Sequence, residues 1–347
     1  MQLTVLTLNQ KNFILIYMLK RSEMREITYR QALNEAIDEE MQRDKKVFIF
    51  GEDVAIYGGV YGVTAGLWKK YGDERVMDTP ISENAIVGTA LGAALTGMRP
   101  VAEIMYIDFI GLCMDQLNNQ VAKIRYMFGG KCKVPLTIRT EGGAGRTLGA
   151  HHSQSLESWL IHIPGIKVVM PSIPYDAKGL LKSAIREDNP IVFIEHKMLY
   201  NIKGHVPEEE YTLPIGIADV KKEGKDVTIL TYSRMTLFSL KAAEELEKEG
   251  ISVEVVDLRT LFPMDIETMV NSVKKTNRVV IVEEDCKTGG TGAEIGMKVI
   301  ENAFDYLDAP IIRVAGADVP MPKSRVLEKL AIPDVERIKA GVKEVLK

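Results

Sequence analysis

The sequence has few cysteines and no excess of positive charge, and both shortages exclude classes of protein. Its three cysteines, Cys113, Cys132 and Cys286, form no C-x-x-C pair, which argues against a disulfide framework and against a zinc site. This usage is typical of a reducing compartment, so we expect a cytoplasmic protein. The net charge is −4 and the basic residues are scattered among acids, so neither nucleic acid nor an anionic membrane is an expected partner.

The first part of the chain lacks an apolar run long enough to cross a membrane. The run FILIYML, residues 13–19, is far shorter than the roughly 20 residues that a spanning helix needs. No small-residue cleavage site follows it, so it does not predict export. Met24 then opens MREITYRQALNEAIDEEM, which looks like a natural start. We therefore interpret residues 1–23 as an N-terminal extension, either a disordered arm or a product of start-codon choice.

Two common nucleotide-binding loops are also missing. The phosphate-loop pattern GxxxxGK[ST] does not occur. The segment GGTGAEIG, residues 289–296, resembles a dinucleotide fingerprint, but its glycines are spaced G-x-G-x-x-x-G and no acid ends the next predicted strand. We therefore expect these glycines to serve helix packing.

The sequence does contain a regular alternation of buried-strand and helix patterns. Such alternation predicts parallel sheets covered by helices on both faces, and the length suffices for two domains, each with its own core. The pattern lapses into Pro-, Glu- and Lys-rich sequence at 197–225, so we place one three-layer α/β domain at 24–205 and a second at 206–347. The predicted helices are 28–43, 82–96, 109–125, 155–161, 175–186, 236–249, 265–275 and 293–304.

In MDTPISENAIVGTALGAALTGMRP, Glu83 is the one acid at the start of the apolar run. Two readings are open. In one, Ser82 caps the helix and Glu83 occupies its first turn, where the helix dipole favours an acid. In the other, Glu83 lies in a dry pocket, where desolvation raises the pKa of its carboxyl and lets it share a proton near neutral pH.

A glycine-rich loop provides a second candidate site. In TIRTEGGAGRTLGAHHSQS a strand pattern ends in glycines and is followed by His151 and His152. Loops at the carboxyl ends of parallel strands are where α/β proteins build sites. Adjacent histidines need not face the same way, so we prefer an imidazole that acts as acid, base or hydrogen-bond donor to a metal ligand.

A third candidate is the helix that ends in AIREDNP, before Pro190. Its last carbonyls have no partner within the helix. They could bind a cation or be capped by water.

Five segments together carry a resemblance to a known family. They are DTPISE, EIMYIDFIGLCMDQLNNQVAKIRYMFGGK, HHSQSLE, HIPGIKVVMPSIPYDAKGLLKSAI and GADVPMP. In this order they resemble the β subunits of thiamine diphosphate-dependent 2-oxo acid dehydrogenase components, over residues 24–347. IDFIGLCMDQ followed by RYMFGGK looks most like acetoin dehydrogenase, with pyruvate dehydrogenase next.

The resemblance implies a fold and a set of site residues. The fold is a pyrimidine-binding domain followed by a transketolase C-terminal-like domain. In that family the glutamate of TPISE, here Glu83, hydrogen-bonds N1′ of the aminopyrimidine and favours the imino tautomer that deprotonates the thiazolium C2. This favours the catalytic reading of Glu83. Ile81 matches a residue beside the pyrimidine, Phe109 an aromatic that stacks on it, and His152 the active-site histidine. Tyr106 is expected on another face.

The resemblance also implies ions and partners. Some members hold a potassium ion through carbonyl groups that map to Leu136, Ala184, Ile185, Glu187 and Asn189. The GDG signature of the magnesium and diphosphate site is absent, so Mg²⁺ is expected from an α subunit within a heterotetramer of two α and two β subunits. The two-carbon unit from acetoin or a 2-oxo acid would pass to lipoamide of a dihydrolipoamide acyltransferase core. The alternative is a docking subunit without catalytic activity.

Overall fold

A computed structural model describes residues 24–347. The predicted extension at 1–23 lies outside the described residues. Within the described part, no helix is both long and apolar enough to cross a membrane.

The first sheet has seven strands in the spatial order β12-β6-β7-β5-β4-β2-β3. All its pairings are parallel except the one between β12 and β6. The strands, in chain order, are β2 (Val47–Gly51), β3 (Val76–Asp78), β4 (Arg99–Ile104), β5 (Thr137–Gly142), β6 (Lys167–Val169), β7 (Ile191–His196) and β12 (Thr260–Phe262). β2, β5 and β7 are buried along their whole length, as expected of parallel strands covered on both faces.

Helices lie on both faces of this sheet and start where the sequence signals a start. The first helix begins after Thr28 because Thr28 and Gln31 form a reciprocal capping box. The helices of this region are α1 (Tyr29–Arg43), α2 (Leu67–Tyr71), α3 (Glu83–Leu95), α4 (Ile124–Met127), α5 (Glu157–Ile161) and α6 (Pro174–Arg186).

The second sheet has the order β14-β13-β10-β11-β9, with only β9 antiparallel to its neighbour. Its strands are β9 (Asp219–Lys222), β10 (Val227–Thr231), β11 (Val253–Asp257), β13 (Val279–Cys286) and β14 (Ile312–Gly316). The helices are α7 (Arg234–Lys248), α8 (Ile266–Thr276), α9 (Thr291–Ala303), α10 (Arg325–Ala331) and α11 (Val335–Val345). The predicted three-layer α/β class is thus confirmed, with antiparallel edge strands that the alternation did not predict.

The predicted helix 109–125 is wrong as a single α-helix. The segment winds as a 3₁₀ helix over Ile107–Cys113, widens to a π-helical stretch over Asp115–Val121 and closes with α4. A π-helical stretch carries an extra residue per turn, which changes the face on which side chains emerge. Spacing rules for α-helices therefore misplace side chains in this segment.

Each α/β unit has a buried cluster of its own, as expected, but a further cluster joins the two units. One buried cluster runs from Phe50 and Ile104 of the first sheet to Val256 and Ile281 of the second. In addition, β12 lies in the second half of the sequence but extends the first sheet. An antiparallel pair of β1 (Met24–Thr28) and β8 (Lys203–Pro207) crosses the boundary predicted between residues 205 and 206.

A buried arginine joins three neighbouring strands of the first sheet. Arg139 on β5 donates through Nη1 to Glu103 Oε2 at 2.6 Å and through Nε to Glu195 Oε1 at 2.7 Å. The Tyr200 hydroxyl donates to Glu195 Oε2 at 2.7 Å. Since buried charges are tolerated only when paired, each carboxylate depends on this guanidinium.

We predict that Arg139→Met lowers the free energy of unfolding by about 3–5 kcal/mol, because it leaves two buried carboxylates without their cation. Arg278→Met removes an arginine whose partner, Asp308, is largely exposed, and should cost at most about 1 kcal/mol. Denaturant unfolding of both variants measures the difference.

The deficit of Arg139→Met should grow with pH. Burial raises the pKa of Glu195, and the charge of Arg139 lowers it. Without that charge, the folded state keeps a proton that the unfolded state releases, so stability falls as pH rises above the ordinary glutamate pKa of about 4.3. A deficit that is equal at pH 5 and pH 8 would contradict this assignment.

Candidate active site

Strands β2, β3, β4, β5 and β7 all end at one edge of the first sheet, because they are parallel. Ligands of open α/β sheets bind beyond the carboxyl ends of their strands. The segments that follow these strands carry Glu83, Phe109, His152 and Lys197. The candidate site is therefore built from chain segments that lie far apart in sequence.

The turn that carries Glu83 follows β3 and is fixed to the end of β2. Asp78 Oδ1 accepts a hydrogen bond from Ala55 N at 2.7 Å, and Thr79 N donates to Gly51 O at 2.9 Å. Ser82 occupies the position before α3, but its side chain makes no capping hydrogen bond. The capping role predicted for Ser82 is therefore wrong, and the turn is held from outside the helix.

Glu83 is the first residue of α3 and is only 6% exposed. Among the described residues, no group donates a hydrogen bond to its carboxylate. Ile86 and Val87 lie buried behind it. The carboxylate is thus an acceptor at the start of a helix, backed by an apolar core and open to a donor from outside the described chain.

The charge of Glu83 acts on two neighbouring groups. Burial raises the pKa of Glu52, and the Glu83 carboxylate raises it further. Burial and the same carboxylate raise the pKa of the Cys113 thiol to about 12. Cys113 ends the 3₁₀ helix that carries Phe109, and α3 packs against this helix. Glu83 and Phe109 therefore belong to adjacent elements of one edge.

Phe109 and His152 are in direct contact. Their rings meet edge to face with centroids 5.5 Å apart. Tyr106 packs edge to face on His152 at 4.8 Å and on Phe109 at 5.9 Å. Our expectation that Tyr106 lies on another face is wrong, because the 3₁₀ winding after Tyr106 turns Phe109 back towards it.

Three further residues pack against the aromatic cluster that Tyr106, Phe109 and His152 form. Lys197 Nζ donates to His152 O at 2.5 Å and lies 5.0 Å from the Tyr106 ring centroid. The hydroxyls of Tyr61 and Tyr106 are 3.4 Å apart, and the Arg146 guanidinium lies 5.2 Å from the Tyr61 ring centroid. Lys197 could have been found, since it directly follows the buried strand pattern PIVFIEH. Tyr61 lies in a glycine-rich stretch without a regular pattern.

A buried acid accompanies Lys197. Glu141, near the end of β5, is buried and its Oε1 has no hydrogen-bond partner within residues 24–347. Burial raises the pKa of Glu141 well above its ordinary value, and the charge of Glu103 adds to this effect. Burial also lowers the pKa of Lys197. The cluster thus combines a cation with a carboxyl that favours its neutral form.

The other predicted residues lie in different surroundings. Ile81 is 81% exposed on the turn before Glu83, so its side chain is available to a ligand. His151 is exposed. No group of three or more His, Cys, Asp or Glu side chains with metal-binding geometry occurs within residues 24–347.

The carbonyl groups predicted for potassium all lie at the opposite, amino-terminal side of the strands. Arg99 Nη1 donates to both Ile185 O and Glu187 O at 3.1 Å. Leu136 O accepts from Ile191 N, and Ala184 O accepts from Glu187 N. At Asn189 it is the side-chain Oδ1, not the predicted backbone carbonyl, that accepts from Arg125. Arg99 already supplies a positive charge to two of the five positions, so the residues fit a potassium ion poorly. The ion stays a prediction.

Two of the glycines in GGTGAEIG, Gly290 and Gly292, serve helix packing, as predicted, whereas a side chain at Gly289 would meet no atom within 4 Å. A side chain at Gly292 would lie 2.3 Å from Glu283 Oε1, and one at Gly290 would lie 2.4 Å from Cys286 O. The start of α9 therefore approaches β13 too closely for any other residue.

Comparison with known proteins agrees with this fold. Residues 25–203 match the transketolase pyrimidine binding domain, and residues 216–338 match the transketolase C-terminal domain. A solved structure described as a split-gene transketolase, an inactive β4 tetramer, superposes with a TM-score of 0.78 at 25% identity, covering 92% of this chain and 98% of that one. The chain is therefore a transketolase-type pair of domains.

Curated relatives narrow the class. The β subunit of a pyruvate dehydrogenase E1 component from Gracilaria tenuistipitata is 50% identical, covering 93% of this chain and 100% of the relative. The β subunit of an acetoin:2,6-dichlorophenolindophenol oxidoreductase from Cupriavidus necator is 48% identical, covering 93% and 98%. A 2-oxoisovalerate dehydrogenase β subunit from Bacillus subtilis is 47% identical, covering 92% and 98%. This chain belongs to the family of β subunits of 2-oxo acid and acetoin dehydrogenase components.

We predict that Cys113 resists alkylation at pH 8 in the folded protein, because it is buried and its thiol pKa is about 12. Cys132, which is half-buried, serves as the internal control. Peptide mass spectrometry after a timed iodoacetamide pulse measures both. Equal labelling of Cys113 and Cys132 would show that water reaches the region behind Glu83.

Proposed function

We propose that this chain is the β subunit of a thiamine diphosphate-dependent dehydrogenase component. It would act with an α subunit on acetoin or a 2-oxo acid and pass the two-carbon unit to lipoamide. The observation that carries the proposal is the buried Glu83 carboxylate, which has no donor within residues 24–347 and lies beside the element that carries Phe109. An aminopyrimidine offers the flat ring and, in its imino or N1′-protonated form, the donor that this arrangement fits.

Each residue has a role that follows from its surroundings. Glu83 would share a proton with N1′, donating it as the carboxylic acid and accepting the N1′–H hydrogen bond that results, and the low local dielectric strengthens that bond. Phe109 and the exposed Ile81 would form apolar walls for the ring. His152, held among Tyr106, Phe109 and Lys197, would exchange a proton or hydrogen bond with the reacting groups. When bound, thiamine diphosphate supplies the carbon nucleophile that attacks the substrate carbonyl.

The second half of the site would come from a partner. The sequence contains no GDG, so the diphosphate and Mg²⁺ are assigned to an α subunit in a heterotetramer of two α and two β subunits. The exposed apolar side chains of Tyr126, Met127 and Phe128 support a partner surface. A dihydrolipoamide acyltransferase core would bind the C-terminal domain. Three free cysteines support a cytoplasmic location.

The choice of substrate rests on the likeness of two sequence segments to those of acetoin dehydrogenase. Relatives named for pyruvate, acetoin and 2-oxoisovalerate are 47 to 50% identical to this chain, so overall identity does not separate them. We favour acetoin because of IDFIGLCMDQ and RYMFGGK, with pyruvate and branched 2-oxo acids as alternatives.

The chain alone should turn over no substrate and bind thiamine diphosphate weakly, because it holds only the pyrimidine half of the site. Reconstituted with its α subunit, it should reduce an artificial electron acceptor with acetoin in preference to pyruvate or branched 2-oxo acids. Steady-state assays of both preparations measure this. Robust turnover by the isolated chain would contradict the shared site.

Glu83→Gln should lower turnover of the reconstituted enzyme by roughly 10²–10⁴-fold, because the amide cannot exchange the proton that a carboxyl group shares with N1′. Assembly should be unchanged, as measured by analytical ultracentrifugation. Glu74→Gln, at an exposed acid in the loop before β3, is the control and should keep full turnover. Full turnover in Glu83→Gln would instead favour a docking subunit without catalytic activity.

A further inference from the structure

The loop that leads to His152 is bound by two carboxylates from the second domain. Ala144 N donates to Glu284 Oε1 at 2.6 Å. Gly145 N donates to Glu328 Oε1 at 2.8 Å, and Thr147 N donates to the same oxygen at 3.1 Å. Both carboxylates are buried. Since a buried charge needs hydrogen bonds, the loop and the second domain depend on each other here.

Both carboxylate oxygens of Glu284 accept hydrogen bonds. Met198 N donates to His196 Nδ1 at 3.0 Å, so the proton of the imidazole is on Nε2. That Nε2–H faces Glu284 Oε2 at 3.1 Å. Burial lowers the pKa of His196 and favours this neutral form. Oε1 therefore accepts from the loop, and Oε2 accepts from His196 and, at 3.4 Å, from Arg234 Nη1, which also donates to Ala144 O at 3.2 Å.

The loop backbone lies directly against this pair. Gly143 has a left-handed φ of +81°, and a Cβ there would lie 2.1 Å from His196 Nε2 and 2.9 Å from Glu284 Oε1. Gly145 has a φ of +114°, and a Cβ there would lie 2.9 Å from Met198 Cγ. Only glycine permits this approach at both positions. The contact therefore determines the path of the loop.

The same strand end also holds the other end of the loop. Lys197 follows His196 directly, and its Nζ donates to His152 O at 2.5 Å. Asp108 Oδ1 accepts from Ser153 N and Gln154 N, both at 3.1 Å. The loop that presents His152 is thus held at both ends, and the end at Ala144 is the one held by the second domain.

We propose that Glu284 is a positioning residue that acts from the second domain to hold the loop presenting His152 to the reacting groups. This inference rests on the role of His152 in the proposed function. Glu284 itself lies beneath the loop and acts only through the loop backbone.

Glu284 and Glu328 differ in how their two oxygens share the hydrogen bonds, so a glutamine substitution should affect them differently. Glutamine has one acceptor oxygen, so Glu284→Gln must leave either Ala144 N–H or His196 Nε2–H unpaired. At Glu328, Oε1 accepts from both Gly145 and Thr147, so Glu328→Gln can keep both bonds, whereas Glu328→Ala loses them. We therefore expect glutamine to be tolerated at 328 and not at 284.

Hydrogen exchange of the purified chain tests the structural part. Glu284→Gln and Glu328→Ala should each speed amide exchange in residues 143–150 by about tenfold or more. Glu328→Gln should stay close to wild type. The matched control is Glu283→Gln, since Glu283 is the neighbouring buried acid on β13 and accepts from Gly292 N of α9 instead. Unchanged exchange in Glu284→Gln, or equal loosening in Glu283→Gln, overturns the positioning role.

Turnover of the reconstituted enzyme tests the functional part. Glu284→Gln should lower kcat about tenfold, by the same reasoning on an unpaired donor, with little change in KM. In a His152→Ala background the same substitution should have no further effect, because Glu284 acts through His152. An equal loss in both backgrounds overturns the inference. Full turnover of His152→Ala alone would overturn the proposed role of His152. Amide exchange of residues 143–150 that stays at the wild-type rate in Glu284→Gln would overturn only the role of Glu284.

Discussion

The buried carboxylate at the start of α3 is the feature on which the site depends. An ionised acid that a bound ligand cuts off from water costs several kcal/mol unless the ligand supplies hydrogen bonds. The dipole of α3 favours a negative charge at this position by roughly 0.3–1 kcal/mol, which offsets only part of that cost. Within residues 24–347 no group donates to Glu83. The carboxylate is therefore placed for a donor from a ligand, and the turn that holds it is fixed by Asp78 and Thr79.

The rest of the structure provides the surroundings that such an acid needs. The parallel first sheet brings Phe109, His152 and Lys197 to the same edge, and the second domain adds its own carboxylates to the loop before His152. The shared core and the strand β12 keep the two α/β units in fixed relation. Proton exchange requires positions held to within a fraction of an ångström, and this rigidity supplies them.

Much of this could be predicted from the sequence, and the exceptions have physical causes. The alternation of patterns located the strands that form the edge, and Glu83 and the histidine pair were candidates from the residues alone, whereas the roles of Glu83, Phe109 and His152 were predicted from the family resemblance. Tyr106 was misplaced because the helix was predicted to begin at Phe109, whereas it begins at Ile107 with Tyr106 as the N-cap, which puts Tyr106 and Phe109 one turn apart on the same side. The contacts of Glu284 and Glu328 could not be predicted, because they join segments more than a hundred residues apart and depend on how the domains pack. Similarly, β12 carries no signal that it pairs with the first sheet.

The most direct measurement is a structure of the assembled enzyme with thiamine diphosphate bound. We predict that one Glu83 carboxylate oxygen lies about 2.6–2.9 Å from N1′ of the aminopyrimidine, a charge-assisted hydrogen-bond distance. The diphosphate should contact the partner chain. A pyrimidine ring remote from Glu83, or a cofactor enclosed by this chain alone, would contradict the central claim.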